Sequence, residues 1–198
     1  MAYLKKYLAK LKHCEQGIAY VEFALCLSLM MLLFLGSVEV SRCVLIIQKL
    51  EKTVSTVTDV TTQTNPNTTP LTSSQMSQLM SAVTDMMSPY TAGASDANIL
   101  VIVSDVTKTG SASPVLNWQY CGGGNLSATS RVGTTIGGTA TLPNSFSMNS
   151  GEELVVGEVF YNFSPIVSTN PVLGSFRIYK TAIFMPRLGA LTGFSSHC

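Results

Sequence analysis

A long apolar run near the start of the chain dominates its pattern of hydrophobic and polar positions. From Ile18 to Val38 the sequence reads IAYVEFALCLSLMMLLFLGSV, and Glu22 is the only charged residue in these 21 positions. A helix of this length extends over about 32 Å, enough to cross a hydrocarbon core of about 30 Å. The pattern therefore predicts a transmembrane helix with one carboxylate, and a carboxylate in such a segment usually has a partner and a function.

The residues before this run predict its orientation. Residues 1–17 form a basic leader, whose charged side chains are Lys5, Lys6, Lys10, Lys12 and Glu15. Lysines beside an apolar helix tend to stay on the cytoplasmic side of the membrane. We therefore expect a cytoplasmic leader, with everything after about Glu39 on the opposite side.

The helix is expected to continue beyond the membrane and to occupy residues 18–62, fraying near Val60 where β-branched residues accumulate. Apolar residues three and four positions apart predict one buried stripe on its second half. That stripe consists of Val40, Cys43, Ile47, Leu50, Val54 and Val57. An amphipathic stalk or a dimerising coiled coil would show the same stripe and remains an alternative. Residues 63–72 contain two prolines and no apolar period, which predicts a linker.

A second, short helix is predicted after the linker. Its apolar face consists of Met76, Leu79, Met80, Val83, Met86 and Met87. Thr72 or Ser73 can cap its start, and Ser88–Pro89 can end it. A methionine-rich face can be an adaptable partner surface, but more often it is part of the core, and we expect core here.

The period then changes from helix to strand. Four strands are predicted, at residues 97–106, 114–121, 152–163 and 175–186. Gly110–Ser111 lies between the first two and predicts a hairpin. In the third strand Val155, Val159, Tyr161 and Phe163 share a face that should be core. Residues 122–150 are rich in Gly, Ser and Thr, and their CGGGNLS start predicts a flexible, exposed loop rather than a phosphate-binding loop. The fold class is therefore α+β, with residues 73–198 forming one domain beyond the membrane.

Gly17 followed by Glu22–Phe23 resembles the processing site of the type IV pilin superfamily. The sequence GIAYVEFALCL with FLGSVEVSRCV after it is most similar to TadE-like minor pilins, or pseudopilins, of the Tad (Flp) pilus. In that family a Glu–x–x–Arg element, here Glu39–Arg42, follows the apolar run. The resemblance covers residues 13–60 well, and residues 152–187, which include a closing KTAIFMPR, only loosely.

The resemblance implies a function and a set of partners. A prepilin peptidase would cut between Gly17 and Ile18, and Glu22 and Phe23 would serve assembly. The new amine of Ile18 would pair with Glu22 of a neighbouring subunit, and both charges would be neutralised in a low-dielectric setting. The partners implied are prepilin peptidase, other pilin and minor pilin subunits, the inner-membrane pilus assembly machinery and membrane lipid. The subunit would lie in the bacterial inner membrane with its domain in the periplasm, or enter an extracellular pilus used in adhesion and surface colonisation.

Other interpretations of the apolar run remain open. A secretory signal peptide would need small residues before its cut site, whereas Phe34 and Leu35 precede Gly36. An ordinary single-pass anchor with an incidental Glu22 would also fit. In that case the chain would be a membrane-anchored periplasmic binding or adhesion module unrelated to pili.

Composition narrows the chemistry. Charged residues make up 12% of the chain and the net charge is +1, which gives no electrostatic footprint for nucleic acid. The two histidines, His13 and His197, lie near the two ends, so neither a histidine triad nor a histidine-rich metal site is expected. Glu158 and Lys180 are expected to face each other across paired strands as a structural contact. We predict no cofactor, no metal and no enzymatic activity.

The cysteines agree with the proposed topology. Cys121 and Cys198 both lie in the exported region, where an oxidising compartment permits a disulfide. Such a bridge would hold the end of the chain against the strand that carries Trp118. Two unpaired thiols are the alternative.

Overall fold

The computed structural model of the protein describes residues 17–68, 70–90, 93–166, 174–191, 194 and 198. The predicted leader, apart from Gly17, and both histidines lie outside these residues. The elements in chain order are helix α1 (Ile18–Thr62), helix α2 (Ser73–Met87), strand β1 (Ile99–Thr107), strand β2 (Val115–Gly122), a 3₁₀ turn (Pro143–Ser145), strand β3 (Glu153–Phe163) and strand β4 (Phe176–Phe184). The predicted α+β class is confirmed.

Helix α1 is continuous over 45 residues and differs along its length. Its first half is apolar and unpacked, whereas its second half buries one face against the sheet. The buried apolar side chains are Cys43, Ile46, Leu50, Val54 and Val57. The predicted stripe was wrong at its start, because Val40 is 44% exposed and Glu39 is buried in its place. Ile46 is fully buried against the sheet, whereas Ile47 is only partly buried. The stripe was hard to predict because it includes a buried acid, Glu39.

Helix α2 begins and ends where the sequence predicted. The Thr72 side chain accepts a hydrogen bond from the Gln75 backbone N–H, and Gln75 accepts one from the Thr72 backbone in return. This capping box satisfies two of the amide groups that a helix start leaves without partners. Met76, Met80 and Met87 are buried in the main core. The expectation that the methionine face is core is confirmed.

The four strands form one antiparallel sheet in the order β2-β1-β3-β4. β1 and β2 pair as the predicted hairpin, with Val103 opposite Tyr120 and a bulge between Asp105 and Val106. One sheet face, which includes Val155 and Val159, packs against the helices as predicted.

A glycine allows α1 to lie close to the sheet. A Cβ at Gly157 would lie 2.0 Å from Thr58 Oγ1 and 3.0 Å from a methyl group of Val54. Since α1 is regular here, a larger residue in β3 would have to push the helix away.

The opposite sheet face is covered by residues 122–150, which corrects the prediction of a flexible exposed loop. The segment buries Leu126, Val132, Ala140, Leu142 and Met148 against that face. At its start Gly124 lies so close to β1 that a Cβ would be 2.3 Å from the Ile99 carbonyl oxygen. The glycines therefore serve close packing, which composition alone did not reveal.

Candidate functional site

The predicted processing and assembly residues lie at the exposed start of α1. Gly17 is the N-cap and Ile18 is the first helical residue. Ile18 is 54% exposed, Phe23 is 65% exposed, and Glu22 is exposed as well. Glu22 follows Ile18 by four residues, so the two lie on the same helix face about 6 Å apart along the axis. This end of α1 is therefore available to a peptidase, to lipid or to another subunit.

The apolar half of α1 has the length and composition of a membrane span. Its most hydrophobic 18-residue window has a mean hydropathy of 2.3 and is 0% buried by the rest of the protein. Such a surface is not stable in water, because it exposes far more contiguous apolar area than soluble proteins do. The helix could therefore serve as a membrane anchor.

The Glu39–Arg42 element fastens the end of β3 to α1. The Ile166 backbone N–H donates to Glu39 Oε1 at 2.7 Å, and the Arg42 side chain donates to the Ser164 carbonyl oxygen at 2.8 Å. Arg42 also lies 3.9 Å from Glu39 Oε2 and 5.5 Å from the centre of the Phe163 ring. Glu39 is only 2% exposed, so its carboxylate is a structural link between the helix and the domain.

Glu158 and Lys180 are not partners, contrary to the prediction. In the β3–β4 register Glu158 is opposite Thr181, whereas Lys180 is opposite Val159. A strand residue and its sequence neighbour point to opposite faces, so the one-residue difference separates the two charges. Lys180 instead binds Glu51 of α1 at 2.6 Å.

Glu158 fixes the covering segment to the sheet. It is fully buried and accepts hydrogen bonds from the Ser130 hydroxyl at 2.5 Å, the Arg131 backbone N–H at 3.0 Å and the Tyr179 hydroxyl at 2.8 Å. Burial and the bond to Glu158 raise the pKa of Tyr179. Three donors satisfy the carboxylate, which is a structural arrangement rather than a reactive one.

The structure contains the predicted disulfide between Cys121 and Cys198, with a Cα–Cα distance of 5.4 Å. Residues that precede Cys198 in the sequence also contact the strand β2 that carries Trp118. Trp118 Nε1 donates to the Leu191 carbonyl oxygen at 2.9 Å, and the Phe194 ring packs edge-on against Trp118 at 4.9 Å. The expectation that the chain end lies against the Trp118 strand is thus confirmed.

Loss of this disulfide should destabilise the domain measurably. The bridge closes a loop with a sequence separation of 77, and chain-entropy arithmetic gives a stabilisation of about 4 kcal/mol. We expect Cys198→Ser to lower the free energy of unfolding by that order in chemical denaturation of the full chain in detergent. Cys26→Ser is the matched control, since Cys26 is an exposed free cysteine in the apolar half of α1. Equal stability of Cys198→Ser and the parent chain would show that the bridge contributes nothing.

Two carboxyl groups, those of Asp105 and Glu153, lie close together beneath the chain end, and no pattern in the sequence predicted this pair. Asp105 is fully buried, and its Oδ2 accepts from Asn117 Nδ2 at 2.8 Å, whereas no hydrogen-bond donor among the described residues reaches Oδ1. Burial, followed by the nearby Glu153 carboxylate, raises the pKa of Asp105 to about 8. Glu153 Oε1 accepts from the Leu191 backbone N–H at 2.6 Å. The buried Asp105 carboxyl group therefore favours its protonated form beside the Glu153 carboxylate that holds the chain end.

Within residues 17–68, 70–90, 93–166, 174–191, 194 and 198, no three His, Cys, Asp or Glu side chains come together as a metal site. A cavity of about 270 Å³ lies beside the disulfide and is lined by Gln119, Thr129, Ser130 and Thr134 among others.

The comparisons with known proteins single out α1. Residues 17–58 match the family model of the TadE-like proteins. These residues form a TadE-like segment. No curated protein and no solved structure shows a significant match to the chain.

The TadE-like segment contains one group of predicted site residues but not the other. Gly17, Ile18, Glu22 and Phe23 lie at its start, and Glu39 lies in its second half. The disulfide and the whole sheet lie outside it. The match therefore relates the helix to TadE-like proteins, and it does not bear on the domain.

Proposed function

We propose that the chain is a non-enzymatic minor pilin, or pseudopilin, that assists assembly of a Tad (Flp) pilus at initiation or at the tip. One observation carries this proposal. A single 45-residue helix starts at Ile18, directly after Gly17, and places Glu22 in an unpacked apolar half. Residues 17–58 match TadE-like proteins. The role would support adhesion and surface colonisation.

The proposed mechanism begins with removal of the leader. A prepilin peptidase would cut after Gly17, whose N-cap position at the exposed helix start agrees with access by a protease. The new amine of Ile18 would then lie at the cytoplasmic edge of the membrane. A neighbouring subunit's Glu22 would neutralise it, and this pair would set the axial register between subunits. Phe23 beside it would pack against the neighbouring helix.

The proposed topology places the domain in the periplasm of a bacterium, with α1 as its anchor in the inner membrane. Two observations support it. The lysines of the leader favour retention in the cytoplasm, and a disulfide is typical of an oxidising compartment. The partners would be membrane lipid, other pilin subunits and the assembly machinery of that membrane, and not nucleic acid.

Deletion of the gene tests the pilus role. We expect the deletion strain to carry far fewer pili than the parent in electron micrographs, and the wild-type gene on a plasmid to restore them. Chemical crosslinking in the restored strain should join the chain to other pilus subunits. A deletion strain with normal pili but weaker surface attachment would instead favour a membrane-anchored binding or adhesion module.

A further inference from the structure

β3 runs antiparallel to the second half of α1, from the level of Thr58 towards the end of the apolar half of the helix. Contacts between α1 and the two strands β3 and β4 mark successive levels of the helix: Thr58 with Gly157, Glu51 with Lys180, and Arg42 with Ser164. The strand therefore descends as the helix is followed back towards its start.

The rise of the helix and the length of the strand together show which part of α1 the end of β3 reaches. From Thr58 to Glu39 the helix rises about 29 Å, and from Gly157 to Ile166 an extended chain covers about 30 Å. The two lengths agree, and the ends of the two paths are in contact, since the Ile166 N–H donates to Glu39 Oε1 at 2.7 Å. Ile166 thus lies level with the first charged residue after the apolar run, where a membrane crossed by α1 would end.

Two apolar side chains are exposed at this level. Ile166 is 69% exposed and Phe176 is 42% exposed, although both lie in a domain with well-buried cores. The Phe176 ring packs 5.2 Å from that of Phe163, which is itself buried, so this aromatic group is held in place rather than loose. The Ile166 backbone is held at Glu39, so Ile166 lies next to the end of the apolar half of α1.

Polar groups lie beside them. A shallow cleft of about 320 Å³ is lined by Asn98, Asn162, Ser164, Ser175 and Arg177 together with the two phenylalanines. Arg177 is exposed, and its Nε donates to Asn162 Oδ1 at 3.0 Å. Apolar side chains next to an arginine, two amides and two hydroxyl groups are the composition that favours the headgroup layer of a bilayer.

We propose that this end of the domain docks on the surface of the bilayer that α1 crosses. Ile166 and Phe176 enter the interfacial layer, and Arg177 binds lipid phosphate. The proposal rests on the proposed insertion of α1, and it deepens that function by naming a second lipid contact. Docking would fix the height and tilt of the domain above the membrane before the subunit joins a pilus. Glu39 and Arg42 would fix the position of this surface, since they hold Ile166 and Ser164 to the helix.

Tryptophan substitutions with brominated lipids test the docking. Ile166→Trp and Phe176→Trp place a fluorophore on the proposed surface, and the Ile166 contact with Glu39 uses only its backbone. Ile136→Trp is the matched control, because Ile136 is 46% exposed on the covering segment. Leu29→Trp, in the apolar half of α1, reports insertion itself. The only native tryptophan, Trp118, is fully buried and gives a constant background. Each full-length variant is reconstituted into phosphatidylcholine vesicles brominated either near the headgroup or near the chain ends.

The expected result is loss of emission in Ile166→Trp and Phe176→Trp with bromine near the headgroup, and no such loss in Ile136→Trp. Leu29→Trp should lose emission with bromine near the chain ends. Quenching of Leu29→Trp without any excess at positions 166 and 176 over position 136 would overturn the docking and leave the proposed anchor intact. Absence of quenching at position 29 would overturn the anchor and the docking together.

Discussion

Replacing Glu22 with Leu is expected to abolish pilus assembly while the chain is still inserted and processed. Removal of a carboxylate from an apolar span should favour insertion by about 2.5–3.5 kcal/mol, so the protein should accumulate normally. The same change would leave the Ile18 amine of a neighbour without its partner. Breaking one side of a buried pair typically costs about 3–5 kcal/mol, which is enough to prevent subunit association. Pili counted per cell and crosslinking to pilus subunits are the measurements.

Two variants separate the charge from general effects of substitution in this helix. Ser28→Leu removes another exposed polar side chain from the same apolar half and should leave piliation unchanged. Glu22→Gln should restore assembly only partly, because an amide accepts a hydrogen bond but carries no charge. Normal piliation with Leu at position 22 would mean that Glu22 is incidental, and the binding-module interpretation would then be preferred.

Replacing Asp105 with Asn is expected to stabilise the domain at neutral pH. The pKa of Asp105 is raised from 3.8 to about 8 in the folded chain, so the folded state binds a proton that the unfolded state releases. The contribution of Asp105 to the free energy of unfolding is therefore most favourable below about pH 4, and it falls as the pH rises towards about 8. At pH 7 the difference amounts to at most about 4 kcal/mol. Asn keeps the shape, bears no charge, and can donate to Glu153 while accepting from Asn117.

The measurement is chemical denaturation of the full chain in detergent at several pH values. The parent should lose stability between about pH 4 and pH 8, and Asp105→Asn should show a much flatter profile. Asp85→Asn is the control, since Asp85 is exposed on α2 and its replacement should change stability by less than about 0.5 kcal/mol. A variant that is less stable than its parent at pH 7 would show that Asp105 is ionised in a favourable contact.

The helices and strands followed from local patterns because their burial is regular. α2 is an example, since its methionine spacing, its Thr72 cap and its Ser88 end all lie in one continuous stretch of the sequence. The hairpin of the first two strands also followed, because turn residues separate them, whereas the order β2-β1-β3-β4 was not predicted. The first charged residue of α1 after the apolar run misled the stripe prediction, because Glu39 is buried through a hydrogen bond from Ile166, 127 residues away.

Long-range polar contacts could not be predicted for the same reason. Whether Glu158 faces Lys180 or Thr181 depends on a register that differs by one residue, and no local signal sets it. The Asp105–Glu153 pair likewise exists only because β1 and β3 are adjacent. The covering segment of residues 122–150 lacks a hydrophobic period, since its buried residues are spaced by the shape of the sheet face rather than by a helix or strand repeat. In contrast, Gly17 and Glu22 are separated by only five positions, so their spacing could be recognised in the sequence.

The N-terminal sequence of the mature chain, extracted from membranes of cells with an active prepilin peptidase, tests the proposed function most directly. The account predicts that it begins Ile–Ala–Tyr–Val–Glu, with Ile18 first. Gly17→Val should retain the leader, because the proposed cut requires a residue without a side chain before it. A wild-type chain that still begins at Met1 or Ala2 would contradict the account, because an uncut subunit has no Ile18 amine to pair with Glu22.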